Sequence, residues 1–69
     1  MSSVYKITEI VGTSKKSFAD AAQNGVKRAS KSLRGLKWFE ATSFRGKIKD
    51  GEVVEFQTTM RVGFKLEDA

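Results

Sequence analysis

Val53-Val54-Glu55-Phe56-Gln57-Thr58-Thr59-Met60-Arg61-Val62-Gly63-Phe64-Lys65-Leu66 alternates along its whole length. Val54, Phe56, Thr58, Met60, Val62, Phe64 and Leu66 fall on one side; Glu55, Gln57, Thr59, Arg61, Gly63 and Lys65 fall on the other. A period of two belongs to a strand with one face on a core and the other polar. Just before it, Lys49-Asp50-Gly51-Glu52 puts Asp-Gly at the centre of a hairpin turn. The partner strand is then Leu36 to Ile48, with a weak middle at Glu40-Ala41-Thr42-Ser43 and a bend or bulge expected near Gly46.

Upstream of the hairpin, Lys15 to Leu33 has helical spacing. Phe18, Ala21, Ala22, Val26, Ala29 and Leu33 form one apolar stripe. Alanines dominate it, which allows close approach to a sheet but adds little burial energy per residue. Ser14 is the expected N-cap and Gly35 the expected stop. Lys27, Arg28, Lys31 and Arg34 suit the negative end of the helix dipole. Val4 to Val11 is a first strand, apolar on both faces and so expected to be covered on both, ended by Gly12-Thr13-Ser14. A short acidic tail, Glu67-Asp68-Ala69, follows the last strand. The reading is β-α-β-β, an α+β fold in one domain over residues 1–69, with a three-stranded antiparallel sheet packed on one helix.

Sixty-nine residues bury a small core, and a chain of this length usually needs a staple. There are no cysteines or histidines, so disulfides are excluded and a structural zinc site is not expected. Oligomerisation, supported by a bound ligand, is the remaining route. The sheet face left bare by the helix is where subunits or ligands should dock. Thirteen basic against eight acidic residues give +5, a balance suited to phosphate-bearing partners. The N-terminal residues lack a signal-peptide pattern, no apolar run reaches the ~20 residues of a membrane span, and the lack of cysteine fits a cytoplasmic protein.

Catalysis is the weakest functional class. The commonest general base and the thiol nucleophile are missing. Asp20, Asp50, Glu52, Glu67 and Asp68 read as solvated charges on a helix surface, in a turn and in the tail. No phosphate-cradling glycine motif is present. Two binding modes remain. In one, Trp38, Phe39, Phe44 and Arg45 stack on and pair with single-stranded nucleic acid. In the other, Trp38 gives a π-face to a planar heteroaromatic ring, and the Gln57 amide matches the carbonyl and N–H edge of a pyrimidine-like ring. Trp38 could equally be a core anchor.

The pattern as a whole closely resembles the dodecin family, small flavin-binding proteins. The pieces that carry it are Val4-Tyr5-Lys6, Glu9-Ile10-Val11-Gly12-Thr13-Ser14, Arg28-Ala29-Ser30-Lys31-Ser32-Leu33-Arg34, Leu36-Lys37-Trp38-Phe39-Glu40, Arg45-Gly46-Lys47-Ile48, Glu55-Phe56-Gln57 and Val62-Gly63-Phe64-Lys65-Leu66-Glu67-Asp68. The resemblance implies a hollow homododecamer with flavins paired at subunit interfaces, stacked between symmetry-related tryptophans. It implies storage and sequestration with photoprotective quenching rather than enzymatic turnover, and partners other than nucleic acid or membrane. Trp38 matches the stacking tryptophan and Gln57 the glutamine that bonds the isoalloxazine edge. Arg45 matches a basic position near the ribityl-phosphate tail, and Lys65 another where arginine is commoner. FMN is the expected ligand, with riboflavin or FAD as alternatives, and coenzyme A is a second ligand that the resemblance admits. Lys15-Lys16 departs from the usual helix start, and Gly25 costs a helix about 1 kcal/mol relative to alanine.

Overall fold

A computed structural model describes residues 2–66; the acidic tail read at Glu67-Asp68-Ala69 lies outside the described residues. The chain runs β1 (Tyr5–Ser14), α1 (Phe18–Ala29), β2 (Leu36–Lys49) and β3 (Glu52–Lys65). The strand order is β1-β3-β2, and both outer strands run antiparallel to β3. The β-α-β-β reading holds, and the alternating segment is the central strand.

The tight turn is as expected: Asp50 and Gly51 both have positive φ, 52° and 77°. That pair of left-handed residues matches the right-handed twist of the strands they join. The irregularities of β2 lie between Leu36 and Trp38, between Ala41 and Ser43, and between Lys47 and Ile48. The second falls in the weak middle, where the Thr42 hydroxyl donates to the Thr59 carbonyl (3.3 Å). The third comes just after Gly46, which itself pairs regularly with Phe56.

The first strand and the helix differ from expectation at their junction. Gly12, Thr13 and Ser14 do not break β1; they pair with Thr58, Gln57 and Phe56. Gly12 lies under the helix, where a Cβ would overlap the Ala21 carbonyl oxygen and approach Gly25 Cα to 3.1 Å. Ser14 is therefore not the N-cap. Ser17 is, accepting from the Asp20 amide at 2.9 Å. The Ser14 hydroxyl is buried instead, donating to the Asp20 carboxylate at 2.6 Å and accepting from the Lys16 amide at 2.9 Å. Asp20 is thus a half-buried fastening of the β1–α1 junction and not a solvated charge.

The helix is shorter than its periodicity. It ends at Ala29, where the Ser30 hydroxyl donates to the Lys27 carbonyl (2.7 Å) and the Leu33 amide closes a turn on Ala29 (2.9 Å). Lys27 and Arg28 occupy its last turn; Lys31 and Arg34 lie beyond it. Gly35, with φ of 72°, does not cap the helix. Its carbonyl accepts from the Lys65 amide at 3.0 Å, so it opens β2 beside the end of β3.

Between helix and sheet the core is small: Ala22, Met60 and Val62, with Ile10, Val26 and Leu36 packed against it. Thr58 Oγ1 donates to the Phe18 carbonyl at 2.9 Å. The Phe18 ring meets Phe44 and Phe56 edge-on, with centroids 5.2 and 5.0 Å away. The other face of β1 was expected to be covered, yet Tyr5, Ile7 and Val11 are exposed on the protomer. The principal extents are 54 × 20 × 13 Å and the radius of gyration is 14.2 Å; a compact chain of this length would have about 11 Å. The accessible surface is 5376 Å², against roughly 4,300 Å² for a compact monomer of this mass. A protomer this extended, with so few buried apolar residues, has the proportions of a subunit.

Candidate functional site

The ladders place side chains in rows across the face that the helix leaves bare. Ile7, Gly63 and Trp38 form one row; Glu9, Arg61 and Glu40 the next; Thr13, Gln57 and Arg45 another, with Lys47 opposite Glu55 beyond it. Tyr5 pairs with Lys65 at the opposite end. All four expected site residues, Trp38, Gln57, Arg45 and Lys65, therefore share this face. They fall into two groups within one protomer. Trp38 and Lys65 lie at one end, and Gln57 and Arg45 are direct cross-strand partners toward the other.

Trp38 is not a core anchor. It is 44% exposed, and its six-membered ring lies on the backbone of Gly63. Tyr5 reaches across from β1 and meets the indole edge-on, with centroids 5.1 Å apart and planes at 62°. Gly63 makes this possible, because with no side chain on β3 the rings from β1 and β2 can meet above it. The result is a flat, electron-rich surface held from beneath and from one edge.

Gln57 is half-buried, and its Nε2 donates to Glu55 Oε1 at 2.9 Å. A carboxylate only accepts, so this bond turns the amide nitrogen toward Glu55 and leaves the amide carbonyl free for a donor. Arg45 and Lys47 flank the pair from β2. On this face the cross-strand neighbours of Gln57 are Thr13 and Arg45, both able to donate hydrogen bonds.

Tyr5 and Gly63 touch Trp38, and Glu55 bonds Gln57; none of the three is among the site residues expected from the sequence alone. A glycine inside an otherwise regular strand is a sign of close approach, so Gly63 was open to discovery. Tyr5 and Glu55 needed the register. Two grooves flank the helix, away from this face: one of about 510 Å³ is lined by Ile10, Gly12, Gly25 and Leu33 among others, and a second of about 710 Å³ by Ala22, Val26 and Phe39 among others.

Residues 4–67 match the family model described as Dodecin. The chain belongs to the dodecin family. It is 46% identical to the dodecin of Thermus thermophilus over 68 residues, 99% of each chain. Among solved structures, the dodecin from Streptomyces davaonensis superposes with a TM-score of 0.96 at 43% identity, covering 99% of this chain and 100% of that one. The dodecin from Streptomyces coelicolor gives 0.93 at 46% identity, covering 97% and 96%. These likenesses span essentially the whole chain, so the β-α-β-β fold with its three-stranded antiparallel sheet is shared with these proteins. No helix among the described residues is long and apolar enough to cross a membrane, and no cluster of three metal-binding side chains occurs among them.

Proposed function

We propose that this dodecin binds and stores flavin at its subunit interfaces, with FMN the preferred form, in a closed cytoplasmic dodecamer that does not turn the flavin over. Membership of the dodecin family supports a flavin-binding role in general. The observation that carries the finer reading is the indole of Trp38, laid on Gly63 with much of its surface exposed on the sheet face that the helix leaves bare.

In this reading the isoalloxazine stacks on Trp38, and a symmetry-related Trp38 closes the stack. Gln57 hydrogen-bonds the pyrimidine edge, its amide oriented by Glu55. Arg45 and, at the other end of the face, Lys65 offer charge to a phosphate tail. Indole is electron-rich, and tight stacking quenches the excited ring, so stored flavin is protected from its own photochemistry. The nucleic-acid reading loses two of its four residues. Phe44 turns to the helix side onto Phe18, and Phe39 pairs with Val62 on that side as well.

The test is the purified protein. A yellow assembly of twelve subunits by light scattering, releasing FMN on denaturation, is the expected result. A colourless folded monomer at micromolar concentration that leaves FMN fluorescence unchanged would overturn the reading.

A further inference from the structure

Gly63 has no counterpart among the expected ligand-binding residues, and its own backbone does not demand a glycine. It lies within β3, pairs with Ile7 on one side and Trp38 on the other, and is not among the glycines with positive φ. What excludes a side chain is the indole. A Cβ built there would overlap Cε2 and Cζ2 of Trp38 and come within 2.6 Å of Cη2.

We infer that Gly63 is a specificity-determining residue: it sets the height of Trp38 above the sheet, and so the thickness of the planar ligand that fits between facing subunits. This rests on the reading of Trp38 as a stacking platform. Non-bonded carbons settle at about 3.5–4.0 Å. A methyl at this position would therefore lift the ring by roughly 1 Å or more. Where two symmetry-related indoles face each other the displacement counts twice, and the gap narrows by roughly 2 Å. That is more than half of one ~3.5 Å aromatic layer, so a slot built for stacked rings no longer accepts them. Tyr5 closes the β1 side of the seat at 5.1 Å between centroids, so the ring cannot relieve the clash by sliding toward β1.

The experiment is a double-mutant cycle of Gly63→Ala and Trp38→Phe, each assembly titrated with FMN and each examined without ligand by near-ultraviolet circular dichroism. Phenylalanine is shorter and reaches less far over position 63. With Trp38 present, Gly63→Ala should weaken FMN binding about tenfold or more. With Trp38→Phe, the same change should cost at most about twofold, because the two sites act through one contact. The ligand-free indole signal should change in Gly63→Ala. Equal losses on both backgrounds, or an unchanged indole signal, would overturn the inference. Should Gly63→Ala fail to assemble, assembly of the double variant would support it, and failure of both would show that β3 itself needs the glycine. The ligand-free signal is independent of flavin, so the two failures are distinguishable: a parent that ignores FMN defeats the flavin reading on which the inference rests, whereas an unchanged indole signal in Gly63→Ala defeats the inference even where the parent binds FMN.

Discussion

Trp38 and Gln57 share one face of the sheet but not one site within a protomer. Trp38 pairs with Gly63, and Gln57 lies six residues away on the same strand (57 to 63). At about 3.3 Å per residue the separation is roughly 20 Å. A single ring cannot be stacked on one and edge-bonded by the other unless they come from different chains.

Mixed assemblies test this. Trp38→Ala and Gln57→Leu subunits, each weakened in FMN binding, should regain a fraction of sites tighter than those of either parent when co-assembled, though short of full affinity because the facing indole is missing. An interface between the two kinds of subunit holds one intact combination, the tryptophan of one and the glutamine of the other. Titration of the co-assembled protein should resolve a tight class of sites absent from either parent. Strictly additive behaviour, with no tight class, would place both residues of a site on one chain.

The Arg45 prediction follows from its position beside Gln57. A guanidinium near the flavin tail favours a phosphate, and salt weakens that preference where the charge is exposed. The parent should bind FMN more tightly than riboflavin at low ionic strength, and Arg45→Ala should narrow the difference by about tenfold, a charge-assisted bond contributing about 1.5 kcal/mol. Competition titrations at two salt concentrations measure it. Equal affinities of the parent for the two flavins at low salt would remove Arg45 from the role.

How far the chain could be read depended on whether a feature was local. The alternation of β3 and the Asp50-Gly51 turn are local, and both stand as read. The start of the helix was misplaced because Ser14 and Ser17 are equally good caps by type. Only the pairing of Gly12, Thr13 and Ser14 with β3 decides between them. The helix end was placed too late because Leu33 continues the apolar spacing, although Ser30 has already closed the last turn. In the site, Trp38, Gln57 and Arg45 could be named, but their rows could not. One extra residue in β2, Thr42, shifts the register between Trp38 and Arg45, so a simple count along the strand does not predict which residue faces Gln57.

Gly25 was read as a cost to the helix and is better described as a contact. In an exposed helix, Gly→Ala would stabilise by about 1 kcal/mol. Here a Cβ would come within 2.5 Å of Met60 Cε and 3.2 Å of Gly12 Cα. Met60 is fully buried, and the backbone of Gly12 cannot retreat from the helix without leaving the sheet. Overpacking of about 1–3 kcal/mol should therefore offset the ~1 kcal/mol helix gain, leaving Gly25→Ala destabilised by up to about 2 kcal/mol. A denaturant midpoint that rises would show that α1 can lift off β1 freely.

The proposed function rests on Trp38, and its removal separates platform from anchor. A fully buried tryptophan replaced by alanine costs about 3–5 kcal/mol, enough to unfold a domain this small. Trp38 is not in that position: it is 44% exposed and lies outside the Ala22, Met60 and Val62 cluster, on the opposite face of β3. Trp38→Ala should leave the assembly folded. Flavin affinity should fall by more than tenfold, since the ring loses both its apolar cover and the ~0.5–1.5 kcal/mol specific to aromatic stacking. Flavin that remains bound should fluoresce more strongly, because the electron-rich quencher has gone. Trp38→Phe should keep part of the affinity, since a smaller ring still stacks, and should recover less of the quenching. Circular dichroism, light scattering and flavin fluorescence on the same samples decide the matter. Loss of the folded assembly would return Trp38 to the core, and a folded variant with parental affinity and quenching would sink the platform altogether.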